Sequence, residues 1–427
     1  MSPLQRTLLL LFAVGIATQI SVNLIIEVHG LTAASHFGGD FICFWNAAHR
    51  VRHGDIAAIY DPDTWQRISS TSTTGISWFV YPPFTLFGLW PLGDATYNEA
   101  VLAWSLVPLA FYFFLVVLLA KRSGLGARAN PAGEINWQIA PAYAVLIAFS
   151  FPFLNINLTF GQTGVLVAVF FLGAAYFWSK RPVLAGICVG LLAIKPQLGL
   201  LMPFALIASG QWRAVAAATT TVLSLIILST MWLGTAIWLD YFRITQVFSQ
   251  FIGRGFVGIQ RLVVSPYVSL QAAGMPAALA GFVQLVVSVA VLAAIIQVFS
   301  QRGSHQRDGR KEDSRLDLRL ALLAAGALLV TPYSLSYDTP LLILSIIPVL
   351  ARSWRDGWDG IELTLVIALL VSPYAQMLAV GSHAAFAFLT LLLWFGALYR
   401  RFQIEGSTPA DWLAKPGSLV ARRMDAL

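Results

Sequence analysis

The sequence predicts an all-α polytopic membrane protein: a bundle of about 12 transmembrane helices with amphipathic helices in the first outer loop. Three observations predict it. Hydrophobic residues make up 58% of the 427-residue chain and charged residues only 11%, whereas soluble domains carry roughly 25% charged residues. The mean hydropathy is +0.73. Threading the apolar blocks as spans from a cytoplasmic N-terminus puts most of the 27 Lys and Arg residues on one side. Only Arg50, Arg52, Arg67, Lys195, Arg243, Arg254 and Arg261 fall on the other, as the positive-inside rule requires. The net charge of +7 therefore sets orientation and meets anionic lipid; nucleic acid is not expected as a partner. One transmembrane domain is expected over 1–427, with an outer loop at 28–81, a second at 235–275 and a cytoplasmic tail at 401–427. Cys43 and Cys188 give neither a disulfide framework nor a metal pattern.

In order along the chain, the first span is 8–26, which contains Thr18, Gln19, Ser21 and Asn23 and is too polar for a signal-peptide core. In the outer loop, Phe41, Phe44, Trp45 and Ala48 recur on one helical face. Such a helix lies on the membrane surface or against the ends of spans. Asp61-Pro62 reads as a second helix start. Tyr81-Pro82-Pro83 forbids a continuous helix; irregular backbone at membrane depth must line a cavity or be buried in protein. Spans follow at 97–120, 138–155 and 164–179, the last two separated by a stretch too polar to face lipid, 155–164. Two half-length apolar blocks, 182–194 and 197–209, are broken at Lys195-Pro196 and read as a hairpin, because both outer ends are basic. The remaining spans are 213–234, 277–299, 319–334, 340–351, 361–379 and 384–400. The mixed-charge run 301–319 reads as a solvated cytoplasmic loop.

On this topology Asp40, Tyr81, Gln162, Lys195, Arg254, Arg261, Tyr333, Tyr337 and Asp338 all gather at the outer face. Asp40 follows Gly38-Gly39 and opens the amphipathic helix, so it reads either as an N-cap or as a catalytic carboxylate. Lys195 is a cation in an apolar run: either a functional charge or a lysine snorkelling to the interface. Gln162 reads as a cavity residue or as a partner for backbone groups freed at a helix break, and Asp338 as an N-cap. Arg254 and Arg261 are cations for a ligand or for lipid headgroups. The histidines show no metal-ligand spacing, and no metal or cofactor is expected.

A first span followed by a long outer loop with an early Asp resembles the plan of the GT-C glycosyltransferases. Gly39-Asp40-Phe41, Tyr60-Asp61, Tyr81-Pro82-Pro83-Phe84, Gly161-Gln162, Gly186 with Lys195-Pro196, and Thr331-Pro332-Tyr333 resemble, in that order, the motifs of family 87. Its members are polyprenyl-phosphate-mannose-dependent mannosyltransferases and their relatives. Many relatives carry a histidine pair where this chain has Tyr337-Asp338. The resemblance implies an inverting, metal-independent hexosyltransferase of the plasma (inner) membrane, working on the extracytoplasmic side. It would move a mannose-like sugar from a polyprenyl-phosphate donor to a cell-envelope glycan or glycolipid. Asp40 would be the general base; Lys195, with Arg254 and Arg261, would meet the donor phosphate. Tyr81, Gln162, Tyr333, Tyr337 and Asp338 would line the substrate cavity. The rival reading from composition alone is a lipid or solute transporter, since broken helices flanked by polar residues are typical of transporters too.

Overall fold

The computed structural model describes residues 39–71, 78–125, 128–129, 135–136, 152–253, 263–301, 309–357, 359–378 and 386–406, with single positions 13, 17 and 148. The predicted span at 8–26, most of that at 138–155, and Arg254 and Arg261 lie outside the described residues. Apart from one two-residue antiparallel pair, β1 (Arg128–Ala129) with β2 (Ile135–Asn136), the described elements are helical.

The segment 39–71 holds α1 (Phe41–Arg52) and α2 (Pro62–Thr71). Asp61 caps α2, accepting from the Thr64 amide at 3.0 Å and its hydroxyl at 2.6 Å, as its place before Pro62 predicts. The Pro-Pro segment is extended at Pro82 and then forms short helical turns, Pro83–Thr85, Leu86–Leu89 and Trp90–Leu92. They lead into α3 (Tyr97–Arg122), opened by a Thr96–Glu99 capping box. Arg122 at the basic end of α3 reaches Asp317 at 2.5 Å.

Next come α4 (Pro152–Phe160), α5 (Gly164–Phe177) and α6 (Pro182–Leu191), the return helix α7 (Met202–Ala208), and α8 (Trp212–Leu233). The polar stretch 155–164 that separates two of the expected spans is thus largely helix, closed by a turn at Gly161 with φ +63°. A Cβ on Gly186 would meet the Ala214 carbonyl, and one on Gly190 would meet Thr221. Therefore α6 and α8 run side by side in the same direction, and 196–208 must return between them. That is the expected hairpin, with Lys195 at its tip.

The described residues of the segment 235–275 are largely helical as well, forming α9 (Ala236–Gly253) and α10 (Pro266–Ala272). Ile237, Tyr241, Ile244 and Phe248 form one helical stripe on α9, against Tyr60, Trp78 and their neighbours; this periodicity overrides the polar residues between them. The chain continues through α11 (Ala277–Ser300), α12 (Gly309–Val330), the 3₁₀ segment Ser336–Leu342, α13 (Ile343–Asp356), α14 (Gly360–Leu378) and α15 (Phe386–Gly406). Helix α12 starts ten residues before the predicted span and absorbs part of the run expected to be loop; Arg, Lys, Glu and Leu are good helix formers.

Among the described residues, α3, α8 and α11 are long and apolar enough to cross a membrane. The protein is a helical membrane protein with two separate hydrophobic cores. The larger is aliphatic and joins α5, α6, α12, α13 and α15. The smaller is aromatic: Phe41, Phe44, Trp65 and Phe79 pack α1 and α2 onto the start of α3 and the α8–α9 junction.

Candidate active site

Asp40 sits where the aromatic core meets the turn between α4 and α5. Its amide donates to the Phe160 carbonyl at 3.0 Å, and its carboxylate Oδ2 accepts from Gln162 Nε2 at 2.7 Å. No side-chain capping bond to α1 is made, so the carboxylate is committed across the fold and the N-cap reading fails. The other face of α1 is buried under Trp104 and Tyr81: Phe44 lies 5.0 Å and 4.8 Å from their rings.

Gln162 bonds no freed backbone with its side chain. Its Oε1 accepts from the Tyr81 hydroxyl at 3.3 Å, and that hydroxyl is 3.2 Å from Thr163 Oγ1. Tyr81 is fixed from behind, its carbonyl accepting from the Tyr60 hydroxyl at 2.6 Å. Trp104 Nε1 donates to the Gly161 carbonyl at 3.0 Å and sets the turn. Beside Gln162 a narrow crevice lies between α3 and α5, lined by Trp104, Ser105, Asn157 and Val165.

Burial raises the Asp40 carboxyl to about 6, and the Gln162 bond opposes the rise. The residue as a whole is half-buried. Cys43, one turn on, donates its thiol to the Asp40 carbonyl at 3.0 Å, and burial pushes that thiol well up. The thiol beside Asp40 therefore stays neutral.

Lys195 does not snorkel. It is 6% exposed, its ammonium pairs with Asp338 Oδ1, and it stands 4.9 Å above the Tyr337 ring. Asp338 Oδ2 accepts from the Leu335 amide at 3.2 Å, so Asp338 both caps its own turn and neutralises Lys195. Thr331 ties the hairpin tip down through the Gln197 carbonyl at 2.9 Å. Gly164 admits this segment against α5: a Cβ there would lie 1.6 Å from the Tyr337 carbonyl, which instead accepts from Asn157 at 3.1 Å. Tyr81 and Tyr337 feel the charges of both Asp40 and Asp338, so the two clusters are neighbours. Tyr333 packs edge-on against Tyr267 at 6.0 Å and, among the described residues, joins neither cluster by a polar contact.

The family model described as glycosyltransferase family 87 matches residues 79–332, more than half of the chain. The chain belongs to glycosyltransferase family 87. No curated protein and no solved structure matches it. It is therefore a membrane glycosyltransferase with a sugar donor and an acceptor, and the transporter reading is set aside. The family match takes in Tyr81, Gln162 and Lys195. Asp40, Tyr333, Tyr337 and Asp338 lie beyond its bounds and stand on geometry. Tyr60, Trp104, Asn157 and Thr163 escaped the sequence reading as site residues; each acts by fixing a neighbour, and only Tyr60, beside Asp61, lies in a quoted motif.

Proposed function

We propose that this glycosyltransferase moves a mannose-like hexose from a polyprenyl-phosphate sugar to a cell-envelope glycan or glycolipid, on the extracytoplasmic side of the plasma (inner) membrane. The observation that carries the reading is Asp40: a partly buried carboxylate whose side-chain partner is a neutral amide. A general base needs this state, ionised near neutral pH yet able to take a proton. Asp40 removes the proton of the acceptor hydroxyl as its oxygen bonds to the anomeric carbon. The bond from that carbon to the phosphate oxygen breaks, and polyprenyl phosphate leaves with the electron pair, inverting the centre.

Cations stabilise the departing phosphate. Lys195 enters this scheme already paired, so it serves the phosphate only by sharing its ammonium with Asp338. Arg254 and Arg261 carry the rest of the role. Tyr81, Gln162, Tyr333, Tyr337 and Asp338 frame the cavity. The domain is a single unit over 1–427 with about 12 spans, its catalytic outer loop at 28–81, its second outer loop at 235–275 and its cytoplasmic tail at 401–427.

The test is transfer of labelled mannose from polyprenyl-phosphate mannose to a membrane glycolipid extract, with purified protein. Asparagine matches aspartate in shape but takes no proton at neutral pH, so Asp40→Asn should lose about 10²–10⁴ in rate. Near-normal transfer by a folded Asp40→Asn would remove Asp40 as the base. Topology is tested separately in a background lacking Cys43 and Cys188. Asn98→Cys should react with an impermeant thiol reagent added outside, and Lys180→Cys only after the membrane is opened. Labelling of both from one side would break the layout.

A further inference from the structure

Resting on the reading of Asp40 as the base, we infer that Gln162, locked by Tyr81, is the positioning residue that reserves one Asp40 oxygen for the proton transfer. The hydrogen bonds have a direction. Tyr81 donates to Gln162 Oε1 and Gln162 Nε2 donates to Asp40 Oδ2. Thr163, 3.2 Å from the same phenol oxygen, supplies the hydrogen that Tyr81 accepts. Every hydrogen in the series Thr163–Tyr81–Gln162 thus points towards the carboxylate.

The amide cannot be turned over. A flipped Gln162 would set its carbonyl oxygen 2.7 Å from a carboxylate oxygen, two acceptors with no hydrogen between them. It would also aim its NH₂ at a phenol whose hydrogen then has only Thr163 to go to. The phenol is itself immobile, held through its backbone carbonyl by Tyr60 and through its ring by Phe44 and Phe79. Oδ2 is therefore spent on the amide. Oδ1 accepts no hydrogen bond from the described residues, and it is the oxygen left to face an acceptor hydroxyl.

The consequence is electrostatic as well as geometric. Donors aimed at the ionised form hold down a carboxyl pKa that burial raises. The titratable groups that act on Asp40 or on its partner Tyr81 are Cys43 on α1, Tyr97 on α3, Tyr337 and Asp338 of the 3₁₀ segment, and Tyr81 itself. Lys195, which stands over the Tyr337 ring, is committed to Asp338. Gln162 is thus the principal group favouring the charged form. A glutamine chosen merely to line a sugar cavity would not govern the titration of Asp40.

Two measurements decide it. The first needs no substrate: infrared titration of the protonated-carboxyl band that vanishes in Asp40→Asn. The midpoint should lie near pH 6 in the wild type. In Gln162→Leu it should move up by about one to two pH units, the worth of a hydrogen bond to a charged group. Tyr81→Phe, which removes one oxygen and keeps the ring packing, should move it upward by less. The second is the pH profile of transfer, whose acid limb should shift by the same amounts in the same variants. An unmoved band in a folded Tyr81→Phe together with an unmoved band in Gln162→Leu would overturn the inference, even if both variants transfer slowly. A shifted band with a fully active Asp40→Asn would instead keep Gln162 as the partner of Asp40 and refute the base.

Discussion

Two carboxylates lie at adjoining clusters of this protein and are treated in opposite ways. Asp338 is fully buried, paired with Lys195, and bonded to the Leu335 amide. Asp40 is half-buried, and among the described residues its side chain has one neutral donor. A buried charge without a counter-charge is costly, so a fold that needs only architecture neutralises it. Asp338 conforms: it pins the 3₁₀ segment to the tip of the α6–α7 hairpin. Asp40 departs from that pattern, and the departure is what a base requires. The difference teaches that charge compensation, more than the identity of the acid, separates the structural carboxylate from the reactive one. It also shifts weight from Lys195 as a free phosphate cation to Lys195 as one half of a structural pair.

The loss of transfer in Asp40→Asn is the largest effect this contrast implies. The next is in stability and belongs to the other carboxylate. Asp338→Asn leaves the Lys195 ammonium buried without its counter-charge, which should cost about 3–5 kcal/mol. It should appear as a large fall in thermal unfolding temperature in nanodiscs. Removing both charges should recover much of it, so Lys195→Met with Asp338→Leu should be far more stable than Asp338→Asn alone. Transfer in that double variant sharpens the comparison. Activity within a few-fold of wild type would make the pair architectural; loss of donor use in a folded double variant would return Lys195 to the phosphate.

What the sequence made legible, and what it did not, follows the same division between local and distant forces. Helix α1 was readable because Phe41, Phe44 and Ala48 repeat at the helical period and are buried. The cap at Asp61 was readable because its partner Thr64 is three residues away. The stripe of α9 was present at Ile237, Tyr241, Ile244 and Phe248, but Asp240 and Arg243 between them gave the segment the look of a loop. Asp40 was found as a candidate through its place after two glycines, yet cap and base need the same residue in the same place. The deciding partner, Gln162, lies 122 residues on; that of Lys195 lies 143 residues on. No periodicity encodes such pairings. They depend on Gly164, whose missing side chain lets the Tyr337 backbone reach α5. The span count shows the same limit: α5, α6 and α7 are apolar but short, and composition alone did not reveal how the chain breaks them.

The smallest effect is the most specific to Asp40, and it is a gain. Its carboxyl is raised from an ordinary 3.8 to about 6 in the folded protein. Between those values the folded chain holds a proton that the unfolded chain has released, so stability falls as pH rises through that window. Below the lower value the two states are protonated alike and the penalty is absent; above the upper one it is complete. At pH 7.5 the wild type should therefore carry a cost of about 2–3 kcal/mol. Asp40→Asn keeps the Gln162 bond through its own carbonyl oxygen and carries no charge at any pH. It should unfold at a higher temperature than the wild type at pH 7.5, and the advantage should shrink towards zero near pH 4. Asp338→Asn should show the opposite sign at neutral pH. An Asp40→Asn variant that is less stable than wild type at pH 7.5 would mean that its ionised carboxylate is compensated after all, and the contrast between the two carboxylates would collapse.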